Sequence, residues 1–225
     1  MEPIDQAVRK FVFDYFLERT HAPVLEEIAP YLGLDLPTAM ESLRRLEAGH
    51  HLKLLDGTSR ILMAFPFSAI ATPYRVTRSN GRRYFANCAW DSIAFHPMLA
   101  EPIQIDSFCS HCGEPVRFGV EHGRGVRMED ELPLVQLRLP AAQWWNDITR
   151  TCSNTMVFLG AEAKHRGSDG PADPAGRGIV TVDQIVQMSL PIYSTKLRLD
   201  YERPPTETIR STFERLGLTG PHWQV

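Results

Sequence analysis

RRYFANCAWDSIAFHPML, residues 82–99, begins as a strand and ends as an apolar helix, and the junction between them carries the chemistry. Arg82 to Ala86 alternate in the way a half-buried strand does, and the run from Ala89 to Leu99 is too apolar for a helix facing water. Asn87 suits the N-cap, which would put Cys88 in the first turn. There the helix dipole favours the thiolate, the form of cysteine that attacks and binds metals. Cys88 and Asp91 are spaced i, i+3 and share a helix face, so a thiol and a carboxyl group meet in one small volume. Taken singly, Cys88 also fits a small hydrophobe in a core, and Asp91 fits a surface or capping aspartate. A carboxylate between Trp90 and Ile93 on a buried face would need a partner or a proton. A second isolated cysteine, Cys152, stands downstream in DITRTCSNTMVF, before the strand-like TMVFLG, and fits core or ligand equally. Two soft sulfurs beside one proton donor suit holding a soft metal and protonating what is bonded to it.

On the C-terminal side the pattern is short strands separated by turns. ATPYRVTR, PIQID, PVRFGV, PLVQLRL, TMVFLG and GIVTV alternate with turn clusters, which predicts a mostly antiparallel sheet with flanking helices, an α+β core over 73–225. Residues 161–178, AEAKHRGSDGPADPAGRG, read as a loop by composition, and PPTETIRSTFERLG as a last amphipathic helix. On the N-terminal side, Ile4, Val8, Phe11, Val12, Tyr15 and Phe16 recur at helical spacing. VLEEIAPYLG and PTAMESLRRLEAG predict two further helices, and HLKLLDGTSRILMAF a hairpin turning at Asp56-Gly57. Three helices and a hairpin over 1–72 give a winged-helix-like outline. Such domains often bind DNA, but residues 1–78 hold nine Lys+Arg against ten Asp+Glu, and Glu41 and Glu47 offset Arg44 and Arg45. DNA affinity is largely phosphate neutralisation, so a packing or lid role fits this region better than nucleic acid.

The whole chain has 225 residues, a formal charge of −3 and 43% apolar residues, the profile of a globular protein with a sizeable core. Neither nucleic acid nor an anionic membrane is an expected partner at that charge, and no apolar run reaches the roughly 20 residues that span a bilayer. MEPIDQAVRK lacks the apolar segment of a secretory signal, and four unevenly spaced cysteines make no disulfide framework. The expected compartment is the reducing cytoplasm.

RRYFANCAWDSIAFHPML, FCSHCGEPV, TCSNTMVFL and GIVTVDQIVQMS, in this order from about Tyr74 to Ser189, resemble the organomercurial lyase (alkylmercury lyase) family. The helical N-terminal region also looks like the small domain found ahead of the lyase core. The resemblance implies cleavage of carbon–mercury bonds by protonolysis, with Cys88 and Cys152 as mercury-binding thiolates and Asp91 as the proton shuttle and a further mercury contact. It implies no organic cofactor. The substrate would be a small organomercurial, and Hg(II) would leave by exchange onto low-molecular-weight thiols or a mercuric reductase. Cys112 falls on a family cysteine regarded as structural, whereas Cys109 is outside the family's core pattern. Ser153 stands where some members carry a second adjacent cysteine.

Two other readings fit the same residues. One is a thiol-based metal-sensing winged-helix regulator, which would show a basic recognition face and a dimerisation helix. The other is a divergent lyase-fold protein acting on another organometal or electrophile. Cys109-x-x-Cys112 admits a zinc knuckle, a redox pair or ordinary structural thiols, with His111 and His122 at unfamiliar zinc spacing. Trp90, Trp144 and Trp145 are candidates to wall an apolar pocket, with core packing expected for at least two of them.

Overall fold

In the computed structural model, residues 1–128, 132–159 and 178–225 are described. The chain opens with three helices, α1 (Pro3–Arg19), α2 (Leu25–Tyr31) and α3 (Leu36–Ala48). Asp35 caps α3 by accepting the Thr38 N–H at 2.8 Å, with proline in the first turn, and α1 ends on Thr20 in the left-handed region. Their buried residues, among them Val8, Val12, Phe16, Ile28, Leu43 and Leu46, lie at the spacing the sequence predicts. The hairpin follows as β1 (Lys53–Leu54) and β2 (Ile61–Ala64), paired antiparallel with Lys53 opposite Met63. Gly57 in the turn has φ of 74°, a conformation glycine adopts without a Cβ penalty.

The next strands are β3 (Phe67–Ser68), β4 (Arg75–Arg78), β5 (Arg83–Ala86), β6 (Ile103–Phe108), β7 (Pro115–Glu121) and β8 (Arg124–Arg127). With β1 and β2 they form an eight-stranded sheet in the order β1-β2-β3-β5-β4-β6-β7-β8, antiparallel at every pairing. The hairpin of the N-terminal region is therefore an edge of the same sheet as the core strands. Phe67 joins the two regions. It stacks on Phe16 of α1 at 4.9 Å and meets Phe95 edge-on at 4.9 Å. Phe95 belongs to α4 (Ala89–Leu99).

A second sheet of three strands, β10-β9-β11, is built from β9 (Leu134–Leu137), β10 (Thr155–Phe158) and β11 (Ile179–Thr181). Among the described residues the fold is thus α+β with two antiparallel sheets, where the sequence predicts one. The split follows from chain order: β9 pairs with strands that come after it, not with β8. Among the described residues, three more α-helices belong to the core: α5 (Ile148–Ser153), α6 (Val182–Tyr193) and α7 (Thr206–Arg215). Thr181 and Gln184 make a reciprocal capping box at the start of α6, which packs along α4. The loop expected over 161–178 lies, apart from Gly178, outside the described residues. No described helix is long and apolar enough to cross a membrane.

Candidate active site

Strand β5 ends at Ala86, and α4 starts at Ala89, so Asn87 and Cys88 form the corner between them. The helix begins one residue later than the sequence predicts. Cys88 itself is the N-cap: its backbone is extended, with φ of −156°, and its sulfur accepts the Asp91 N–H at 3.5 Å. Asn87 is held back by other duties, its amide donating to the Pro66 carbonyl and to Asp91 Oδ2 at 3.1 Å each. Every position of α4 except Trp90, His96 and Leu99 is buried, which explains the missing polar face.

Cys152 arrives on α5, a helical turn rather than the lead-in to a strand. Asp147 caps that turn by accepting the Arg150 N–H at 3.0 Å, and the buried Thr151 hydroxyl donates to the Trp144 carbonyl at 2.9 Å. These two anchors aim Cys152 at α4. The sulfurs of Cys88 and Cys152 and a carboxylate oxygen of Asp91 lie within 4.8 Å of one another, all buried. Cys88 Sγ stands 3.7 Å and Cys152 Sγ 4.0 Å from Asp91 Oδ2. All three residues singled out in the sequence are brought together.

Two residues absent from the sequence reading complete the surroundings. Tyr193, the last residue of α6, donates its hydroxyl to Asp91 Oδ1 at 2.8 Å. Lys196, in the turn after α6, is buried against aromatic faces, with Nζ 4.5 Å from the Tyr201 ring centre and 5.6 Å from that of Tyr193. Neither sits in a motif. The sole signal is a polar residue at the buried end of an amphipathic helix.

Burial dominates the electrostatics. It pushes the Asp91 carboxyl up to about 6, against the hydrogen bonds from Tyr193, Asn87 and Cys88 and the more distant Lys196, which favour the carboxylate. Burial, a bond with Cys152 and the Asp91 charge drive the Cys88 thiol well above its ordinary value. The dipole effect expected at this helix start is present in the Asp91 N–H bond but is outweighed. At Cys152 the bond from Cys88 favours the thiolate, yet burial and the Asp91 charge leave its pKa raised. Lys196 is pushed well below the ordinary ammonium value by burial and by Arg203 and Arg9. At neutral pH the resting site is therefore two thiols around one carboxylate that can take a proton.

Beside this group lies a cavity of about 290 Å³ whose lining is mostly apolar. All three candidate tryptophans line it, where core packing was expected for at least two. Trp90 is fixed by donating its indole N–H to Ser189 at 2.7 Å, and Trp144 by donating to the Leu139 carbonyl at 2.8 Å. Trp145 is partly exposed, with His50 stacked on it at 4.2 Å and the Arg203 guanidinium 4.3 Å from its ring centre. His50 and Phe65 bring the N-terminal region into the cavity wall.

In this α+β scaffold a buried thiol–carboxyl–thiol group opens on an apolar cavity, a donor set whose chemistry suits a soft metal or an electrophile. The alkylmercury lyase (MerB) family model matches residues 67–194, from β3 through the end of α6, and the chain belongs to that family. Alkylmercury lyase of Bacillus cereus is 32% identical over 116 residues, 52% of this chain and 50% of that protein. Alkylmercury lyase of Staphylococcus epidermidis (strain ATCC 12228 / FDA PCI 1200) is 27% identical over 116 residues, 52% of this chain and 51% of its own length. The match thus spans about half the length of these curated relatives. A solved structure described as the mercury-bound form of MerB2 shares the fold, with a TM-score of 0.60 at 18% identity over 88% of this chain and 91% of that one.

Proposed function

We propose that this chain is an organomercurial lyase that cleaves a carbon–mercury bond by protonolysis, with Cys88, Cys152 and Asp91 as its reacting groups. The observation that carries the reading is the buried cluster itself: two sulfurs and a proton-carrying carboxyl within 4.8 Å, opening on an apolar cavity. Mercury(II) is soft, and thiolates outcompete oxygen and nitrogen for it. The organic group of R–Hg⁺ lodges against the tryptophans while one thiol, Cys88 in this reading, bonds the metal and passes its proton to Asp91. A pKa near 6 suits that step, because the carboxylate is available at neutral pH yet holds a proton readily. The Cys152 thiol then bonds mercury, and two sulfur donors raise the negative character of the attached carbon. Asp91 returns a proton to that carbon, the C–Hg bond breaks, and R–H leaves. Of the two thiol protons, one ends on carbon and one on the carboxyl group or solvent, while mercury stays divalent throughout. Proximity does much of the work, since donor and carbon are held in contact.

The residues of the cluster supply the nucleophiles and the proton, so the proposal includes no organic cofactor. Hg(II) leaves by exchange onto low-molecular-weight thiols or a mercuric reductase, which fits a reducing cytoplasm, and the substrate is a small organomercurial. The N-terminal region (1–72) serves as a wall of the catalytic core (73–225), through His50 and Phe65. The test is anaerobic incubation with phenylmercuric acetate and excess thiol, following benzene by gas chromatography for wild type, Cys88→Ser, Cys152→Ser and Asp91→Asn. Catalytic benzene from wild type, lost in each variant, supports the assignment. Mercury binding without benzene would move the protein to a divergent activity on another electrophile, and a shift of operator DNA would move it to a regulator.

A further inference from the structure

The FCSHCG turn lies outside the cluster just described and is built around one sulfur. Cys109 closes β6, and its N–H donates to the Glu114 carbonyl at 2.8 Å; the Gly113 N–H returns to the Cys109 carbonyl at 2.9 Å. Gly113 has φ of 75°, so the chain can double back within four residues. The turn is pinned to the second sheet by the Ser110 N–H, which donates to the Val157 carbonyl at 3.0 Å. Inside it, the Cys109 sulfur is buried and accepts backbone N–H groups from Cys112, Leu159 and His111, and the Cys112 thiol bonds to it as well. Burial pushes this thiol up, but the bonds outweigh it, and its pKa lies below the ordinary value. Cys112 is exposed. One sulfur is thus buried among backbone N–H donors with the second thiol bonded to it, and that second thiol faces solvent.

We propose that Cys109 and Cys112 form a second soft-metal site, separate from the cleavage cluster, that takes Hg(II) between their two sulfurs. The exposed Cys112 receives the ion first, and Cys109 closes the chelate. Hg(II) carried by two small thiols exchanges onto the pair: two protein S–Hg bonds form, two small-thiol S–Hg bonds break, and the two protein protons leave on the released thiols. No electron is transferred. Zinc fits less well, because it asks for four ligands. Among the described residues three or more candidate ligand atoms converge only at Cys88, Asp91 and Cys152. A two-coordinate soft ion is satisfied by two thiolates. The Tyr74 hydroxyl donates to the Thr155 carbonyl at 3.4 Å and bonds to Ser110 of the turn, and its ionisation is opposed by burial first and then by Cys88 and Cys152.

The inference does not depend on lyase activity, so the two fail separately. The full chain, reduced and desalted under argon, is mixed with excess Hg(II) as its bis-cysteine complex in a tenfold excess of cysteine, which strips mercury from single thiols. Native mass spectrometry then counts the metal. Two mercury ions per chain are expected for wild type, one for Cys112→Ser, and one for the Cys88→Ser/Cys152→Ser double variant. Cys112 is exposed, so its replacement leaves the core intact, and Cys109→Ser provides the second arm. No ion lost on going from wild type to Cys112→Ser or Cys109→Ser, or an added ion seen only in a species of twice the chain mass, would overturn the site. Absence of benzene in the separate assay would leave the count untouched.

Discussion

Asp5 and Asp91 are equally hidden from water, at 4% exposure each, and their chemistry is opposite. Asp5, in the first turn of α1, accepts two bonds of 2.9 Å from the Arg45 guanidinium and one of 2.6 Å from Ser42. Burial pushes its carboxyl up, but these bonds prevail and hold it below the ordinary value. Asp91 receives only neutral donors: the Tyr193 hydroxyl, the Asn87 amide and thiols. The nearby Lys196 is itself pushed toward neutrality, so it supports the carboxylate weakly. Burial prevails and Asp91 titrates near 6. Low solvent exposure alone therefore does not decide what a carboxyl group is for. A cation in direct contact makes it a fixed ion, and neutral donors leave it able to carry a proton.

The largest expected effect is on catalysis. Asp91→Asn keeps the shape and removes the transferable proton, so benzene release from phenylmercuric acetate should fall by about 10²–10⁴-fold. Mercury retention by the protein should persist, because both sulfurs remain. Asp5→Asn should leave turnover within about twofold, since Asp5 does not line the cavity beside the reacting atoms. Equal losses in both variants would erase the distinction between the two carboxyl groups.

Stability should move in opposite directions. The folded pKa of Asp91, about 6, stands above its reference of 3.8. Its favourable contribution is complete below the reference value and is lost as pH rises through 6, so at pH 8 the ionised group is a burden. Asp91→Asn should therefore stabilise the protein at pH 8 by up to about 3 kcal/mol, and by progressively less on acidification, as read by urea melts. Asp5 has its pKa depressed, so its contribution is present above 3.8 and is lost as pH falls through the lower folded value. Asp5→Asn should cost about 1–3 kcal/mol at pH 7, because hydrogen bonds to a charged partner are lost. Two shifts of the same sign would refute the contrast.

Much of this was readable along the chain wherever a local pattern carries the information. The Cys88/Asp91 pair follows from i, i+3 spacing on an apolar helix, and strands β4 to β7 and β9 to β11 follow from two-residue alternation and turn residues, whereas the mostly exposed β8 carries no such pattern. The convergence of Cys152 required the resemblance, because 61 residues separate it from Asp91 and no periodicity spans them. Tyr193 and Lys196 stayed invisible for the same reason: their roles arise from α6 packing on α4, a tertiary event. The N-cap was misplaced by one residue because Asn outranks Cys in capping preference, and only the fold shows that the Asn87 amide is needed on Pro66. The helix-start argument predicts a thiolate at Cys88 because it assumes solvent, whereas this thiol is buried and its pKa is raised.

The smallest effect concerns Tyr193, the neutral donor that most directly touches Asp91. Tyr193→Phe removes one bond to the carboxylate, so the Asp91 pKa should rise above 6, by about one unit if the bond contributes about 1.4 kcal/mol. The first proton transfer needs the carboxylate, and kcat/KM for benzene release should therefore rise with pH along a limb near 6 in wild type. In Tyr193→Phe the same limb should lie at higher pH, with the alkaline plateau lowered only slightly. A purely structural role would lower the plateau and leave the limb where it was. That result would make Tyr193 a packing residue and leave the raised pKa of Asp91 to burial alone. A displaced limb would instead show that the neutral contacts, and not only the missing cation, set where this carboxyl group lets go of its proton.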